Sequence, residues 1–143
     1  MKIISGDAIE RFLNLISLRK LRNIQMMNAT FVELPAFEKY RENYINDDSY
    51  KEFQQLLIEN PRAGDVIENT GGLRKIRFAD KRRQKGKRGG IRIIYYWWDS
   101  HYQFWLFTLY DKNEASDLTA QQKKILKGML EAELRERTSN EQT

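Results

Sequence analysis

A chain of 143 residues has the length of one domain, so one core and one site are expected. Hydrophobic residues make up 41% and charged residues 31%, which excludes collagen-like and Pro/Gly-rich disordered classes, and the absence of cysteine excludes disulfide scaffolds, thiolate metal sites and thiol nucleophiles. With 25 bases against 20 acids the net charge is +5, and the single histidine, His101, excludes paired-imidazole catalysis and histidine-rich metal sites.

Along the chain, residues 1–26 place Ile9, Phe12, Leu13, Ile16, Leu21 and Ile24 at helical spacing, with Arg11, Arg19, Lys20 and Arg22 on the polar side. This stretch reads as an N-terminal extension, either an amphipathic helix or an upstream start, because Met26 and Met27 immediately precede a segment that begins afresh. The domain proper is expected over 27–137, with 138–143 as a flexible tail. Ala29 to Leu34 reads as a short strand, and Pro35 suits the first turn of a helix holding Phe37, Tyr40, Tyr44 and Ile45. Asn46, Asp47 and Asp48 offer capping oxygens to a second helix, Ser49 to Glu59, with Tyr50, Phe53, Leu56 and Leu57 on its buried side. Asn60-Pro61 stops it, and Arg62 to Gly72 is expected as a loop.

Three strands follow. Leu73 to Ala79 puts Ile76 and Phe78 on one face and Lys75 and Arg77 on the other; Asp80 to Gly90 is a long basic turn; Ile91 to Trp98 is strongly strand-prone. Asp99 to His101 reverses the chain into Tyr102 to Tyr110, apolar on both faces as in a central strand. After a polar connection, Thr119 and Gln122 form a capping box for a last helix with Ile125, Leu126, Met129, Leu130 and Leu134 as its apolar stripe. The order specifies an α+β fold, two N-terminal helices packed on a small antiparallel sheet, with a C-terminal helix and one sheet face free. Every apolar stretch is shorter than the roughly 18–20 residues of a membrane span, so no membrane partner and a cytoplasmic location are expected.

Between Leu73 and Trp98 stand ten bases against one acid, Asp80. A field this concentrated suits a phosphate backbone, since each neutralised phosphate releases counterions, and makes Arg74, Lys81, Arg82, Arg83, Lys85, Lys87 and Arg88 candidate RNA contacts. A merely solvated basic hairpin is the plainer alternative. The aromatics Tyr95 to Trp98 suit either base stacking or, more commonly, core packing. With one carboxylate in the basic stretch, a two-metal nuclease is disfavoured and no cofactor is expected.

The runs Gly71-Gly72-Leu73-Arg74-Lys75-Ile76-Arg77-Phe78-Ala79, Lys85-Gly86-Lys87-Arg88-Gly89-Gly90-Ile91-Arg92-Ile93-Ile94-Tyr95-Tyr96 and Tyr110-Asp111-Lys112-Asn113-Glu114, with Asp117-Leu118-Thr119, resemble the HigB branch of the RelE toxin family. The resemblance spans Met27 to about Arg137. It implies the RelE fold, a type II toxin-antitoxin module, cleavage of messenger RNA in the ribosomal A site, and silencing by a cognate antitoxin of the helix-turn-helix, HigA-like kind. By motif position, the family's basic floor corresponds to Lys75, Arg77 and Arg92, and Lys112 to a further basic residue after the third strand. Asn113 stands where the family has an arginine, and Leu118 about where some members have a tyrosine.

The implied chemistry is attack of a 2′-hydroxyl on the adjacent phosphorus. It requires alignment, charge stabilisation on the phosphoryl oxygens and two proton transfers. Lys75, Arg77 and Arg92 suit the charge, while Tyr96, Tyr110 and Lys112 are the candidates for proton transfer. A non-catalytic RNA- or ribosome-binding module would use the same patch. A DNA-binding repressor fits less well, since the charge lies on strands and a turn rather than on a recognition helix.

Overall fold

The run Ile91–Trp98 is β-branched or aromatic at every position but Arg92, and such a strand needs cover on both faces. In the computed structural model, which describes residues 2–3, 29–79, 90–115 and 117–141, the chain order is β1 (Lys2–Ile3), β2 (Thr30–Glu33), α1 (Pro35–Tyr44), α2 (Asp47–Glu59), β3 (Asp65–Val66), β4 (Arg74–Phe78), β5 (Ile91–Trp98), a 3-10 turn (Asp99–His101), β6 (Gln103–Asp111) and α3 (Ala120–Glu141). The strands form one six-stranded sheet in the order β1-β2-β6-β5-β4-β3, with β5 and β6 at its centre.

The α+β class is as expected, but the sheet is mixed rather than antiparallel throughout. β2 runs parallel to β6, Phe31 opposite Phe104 and Glu33 opposite Leu106. Parallel neighbours need a long crossover, and the helical hairpin followed by β3 to β5 supplies it. β3, within the expected loop, pairs antiparallel with β4. Lys2–Ile3 is extended and pairs antiparallel with β2, which corrects the helical reading at those two positions by giving the edge of β2 a backbone partner. The rest of that predicted helix lies outside the described residues.

Helices α1 and α2 cover the first face. Phe37, Ile45, Tyr50, Phe53 and Leu57 pack there on Ile76, Phe78, Ile91, Ile93, Tyr95, Phe104 and Leu106. The hairpin geometry is fixed locally: Asn46 Oδ1 accepts the Ser49 amide at 2.7 Å, and the buried Arg41 donates to Asp47 at 2.8 Å and to the Ile45 carbonyl at 3.3 Å. The Tyr50 hydroxyl donates to Glu33 at 2.6 Å, tying α2 to β2.

The second face is only partly free, a departure from the expected open floor. Leu126 and Leu130 of α3 pack over Ile94, Trp105, Phe107 and Leu73. The β5–β6 register shifts by one residue beneath this cover. Ile94 faces Thr108 while Tyr95 faces Leu106, leaving Phe107 as an extra residue of β6 that enters the second core. The capping box forms as expected, with Gln122 N donating to Thr119 Oγ1 at 3.1 Å and Thr119 N donating to Gln122 Oε1 at 2.9 Å. Ile125 and Met129 of the expected apolar stripe are exposed, because α3 turns only its Leu126–Leu130 side to the sheet. The helix also continues through Thr138 to Glu141, where a tail was expected. Arg137 caps the Trp105 ring at 4.9 Å and bonds Glu133 at 3.2 Å, while His101 Nε2 contacts the Glu141 carboxylate. Among the described residues no helix is long and apolar enough to cross a membrane.

Candidate functional site

Strand alternation builds the site. Ile76 and Phe78 of β4 and Ile91 and Ile93 of β5 turn into the first core, so Arg77 and Arg92 project from the second face. The register sets Arg77 opposite Arg92 and Arg92 opposite Tyr110, one row across three strands. α3 covers the Ile94–Trp105 end of this face and leaves the Arg77–Arg92 end beside the start of the helix. Two cations directly opposite one another on adjacent strands destabilise a sheet.

The two arginines differ in setting. Arg77 is exposed, while Arg92 is 5% exposed, and its guanidinium donates to the Gly90 carbonyl at 3.0 Å. Arg92 is thus held from below, and Arg77 is the accessible member.

Lys75 lies two positions before Arg77, on the same face and opposite Ile94. Its Nζ pairs with Asp117 Oδ1 at 3.2 Å, and the same oxygen accepts the Leu118 amide at 2.8 Å. The Leu118 N–H and then the Lys75 ammonium hold the Asp117 carboxyl below the usual carboxylate range, with Lys123 adding to the effect.

The Tyr110 hydroxyl is buried and has no hydrogen-bond partner among the described residues. Burial, and then the negative charge of Asp117, push its pKa up, with Arg92 opposing. Among the described residues, this hydroxyl keeps its proton at neutral pH and is a donor without an acceptor beside Arg92. An incoming oxyanion would satisfy it. Lys112 follows in the exposed turn after β6, where its backbone N–H lies 3.5 Å from the Gly90 carbonyl and the Asn113 amide donates to Asp111 Oδ1 at 3.0 Å.

Two predicted residues stand apart. Arg74 alternates with Ile76 and Phe78 toward the α1–α2 side, and its guanidinium donates to the Gly64 carbonyl at 2.7 Å and the Arg62 carbonyl at 3.4 Å. Its guanidinium is thus held by the loop before β3. Tyr96 shares the second face but lies toward the opposite end, its ring 5.3 Å from that of Trp105 and its pKa pushed up by burial and then by Asp99. It does not join the row.

The neighbouring aromatics serve the core. Tyr95 is fully buried, Trp97 stacks on Phe104 at 4.3 Å, and Trp98 stacks on His101 at 3.5 Å. Lys81, Arg82, Arg83, Lys85, Lys87 and Arg88 lie outside the described residues. The segment that holds them joins Ala79 to Gly90, so both its ends border the Arg77–Arg92 pair.

Sequence reasoning gave Asp117 no role of its own. Its place just before a capping box was the available signal, since Asx residues there bind backbone amides and stay fixed.

No protein-family model matches the chain. Among solved structures it is similar to a mutant of the E. coli toxin RelE in the free state, with a TM-score of 0.41 and 13% sequence identity, covering 62% of this chain and 87% of that one.

Proposed function

We propose that this protein is a ribosome-dependent endoribonuclease toxin of the HigB/RelE type, which cleaves messenger RNA in the ribosomal A site and so inhibits translation. The observation that carries the reading is the row Arg77–Arg92–Tyr110 with Lys75 alongside, on the face that the helical hairpin leaves uncovered. The motif resemblance over Met27 to about Arg137 gives this cationic floor its reaction.

In this account the RNA's own 2′-hydroxyl attacks the adjacent phosphorus and the 5′-oxygen leaves, giving a cyclic phosphate and a free 5′-hydroxyl. Arg77 and Arg92 bind the non-bridging oxygens through their planar forks, and Lys75 adds a compact charge. Tyr110, kept protonated by burial and by Asp117, donates a proton to the leaving oxygen, while the proton of the attacking 2′-hydroxyl passes to water, from which the Tyr110 phenolate is reprotonated. Arg92 acts from a buried position, so it orients as well as attracts. Lys112 and the basic turn of Lys81, Arg82, Arg83, Lys85, Lys87 and Arg88 hold flanking phosphates of the message and of ribosomal RNA. The row offers cations and a phenol, not the carboxylate set that magnesium requires, and the reaction runs without metal. A helix-turn-helix, HigA-like antitoxin is the proposed partner in the resting cell, and the cytoplasm the proposed site of action.

Induced expression tests the reading. Growth arrest with message fragments bearing 2′,3′-cyclic phosphate ends is expected, and Arg77→Gln and Arg92→Gln at matched protein levels should abolish both. Salt-sensitive RNA binding with intact messages would favour the non-catalytic binding module.

A further inference from the structure

On the cationic face of β4 and β5, Lys75 is held in an ion pair with Asp117. We propose that the Asp117 carboxylate is a built-in placeholder for an RNA phosphate, occupying Lys75 while the site is empty and leaving it when the polyanion binds. The inference deepens the RNA reading above and rests on it for the identity of the anion.

Three features support a placeholder rather than a fixed structural pair. Asp117 is 65% exposed at its side chain and Lys75 26%, so water screens the pair and its rupture costs little. The carboxylate is carried by the short connection between β6 and α3, not by the sheet, so it can withdraw without disturbing the strand that bears Lys75. The Leu118 amide holds one carboxylate oxygen on its own, so Asp117 keeps a partner after Lys75 turns away. With its pKa held low, the carboxylate stays ionised and competes for Lys75 throughout the neutral range.

The competition has a defined result. An oligoanion that binds Lys75 must displace a negative charge beside the buried Tyr110 hydroxyl, whereas a single weakly charged anion gains less than it displaces. Asp117 therefore raises the charge density a ligand needs in order to enter, which selects a phosphodiester chain bridging Lys75, Arg77 and Arg92 over small anions.

The test uses the full chain and two probes: a 2′-O-methyl RNA oligonucleotide, which cannot be cleaved, and inorganic tripolyphosphate. Asp117→Asn should tighten binding of both by about two- to five-fold, the range of an exposed pair. In a Lys75→Met background the same substitution should have no effect beyond that of Glu59→Gln, which removes one exposed acid from α2. Equal tightening with and without Lys75, or weaker binding in Asp117→Asn, overturns the inference. Should RNA fail to bind any form while tripolyphosphate shows the Lys75-dependent gain, the RNA reading falls and the placeholder stands. The opposite pattern, RNA binding with no change in either probe, refutes the placeholder alone.

Discussion

Arg77 and Arg92 face each other across β4 and β5, so neutralising the exposed member should stabilise the fold while removing activity. Glutamine retains most of the arginine stem and removes the charge. Directly opposed like charges cost about 0.2–1 kcal/mol, and for a chain of this size that corresponds to a rise in melting temperature of about 1–3 °C. The effect is electrostatic. It should be largest near 0.01 M salt, where the screening length is about 30 Å, and nearly vanish at 1 M, where it is about 3 Å. Arg92→Gln should behave in the opposite way, because that guanidinium is buried and donates to the Gly90 carbonyl; about 1–3 kcal/mol of stability is lost when such a bond is left unmade. Thermal unfolding of both variants at the two salt concentrations reads the asymmetry. An Arg77→Gln protein less stable than wild type at low salt, or a difference that ignores salt, would refute the claim that Arg77 and Arg92 repel one another across the two strands.

Other expectations are independent of RNA. Tyr95→Phe removes the acceptor of the Gly64 amide at 3.0 Å and the donor to the Pro61 carbonyl at 2.8 Å, so urea unfolding should show a loss of about 1–3 kcal/mol; near-zero change would mean that the loop finds other partners. Thr119→Ala breaks the capping box of α3 and should cost about 1 kcal/mol, with hydrogen exchange accelerated at the helix start. Burial first, and then other causes, raise the folded pKa values of Tyr50, Tyr95, Tyr96 and Tyr110 above the ordinary 10.0. Their stabilising contribution is complete below pH 10.0, the ordinary value, and is lost as pH rises through the folded values, so tyrosinate absorbance should appear together with unfolding. Tyrosines that ionise near pH 10.0 in a chain that stays folded would contradict the burial argument.

The elements governed by periodicity were legible in the residues alone. A helix ending at Glu59 with its cap among Asn46, Asp47 and Asp48, the strand Ile91–Trp98, and the Thr119–Gln122 box are each fixed by neighbours in sequence; the structure starts that helix two residues before the expected Ser49, at Asp47, with Asn46 as the cap. The alternation of Lys75 and Arg77 against Ile76 and Phe78 likewise put the cations on one face before any packing was known. What escaped depends on distant pairing. The parallel alignment of β2 with β6 joins segments some seventy positions apart, and the two residues of β3 are strand only because β4 lies beside them. Phe104 and Leu106 alternating with Trp105 and Phe107 made β6 apolar on both faces in sequence, and that signal did not disclose that α3 would cover part of the second face. Arg74 shows the same limit. Its charge was visible, but the Gly64 and Arg62 carbonyls that occupy it come from a loop whose path is set by tertiary contacts. Asp117 was visible as a member of a motif, whereas its contact with Lys75 spans forty-two positions.

Ribosome-programmed cleavage tests the central claim most directly: purified protein is added to 70S complexes carrying a labelled message, with naked message and an Arg77→Ala/Arg92→Ala protein in parallel. The account predicts cuts within the A-site codon that require the ribosome, persist in chelator and are absent with the double variant. Intact message on programmed ribosomes, or cuts that the double variant makes equally well, would contradict it.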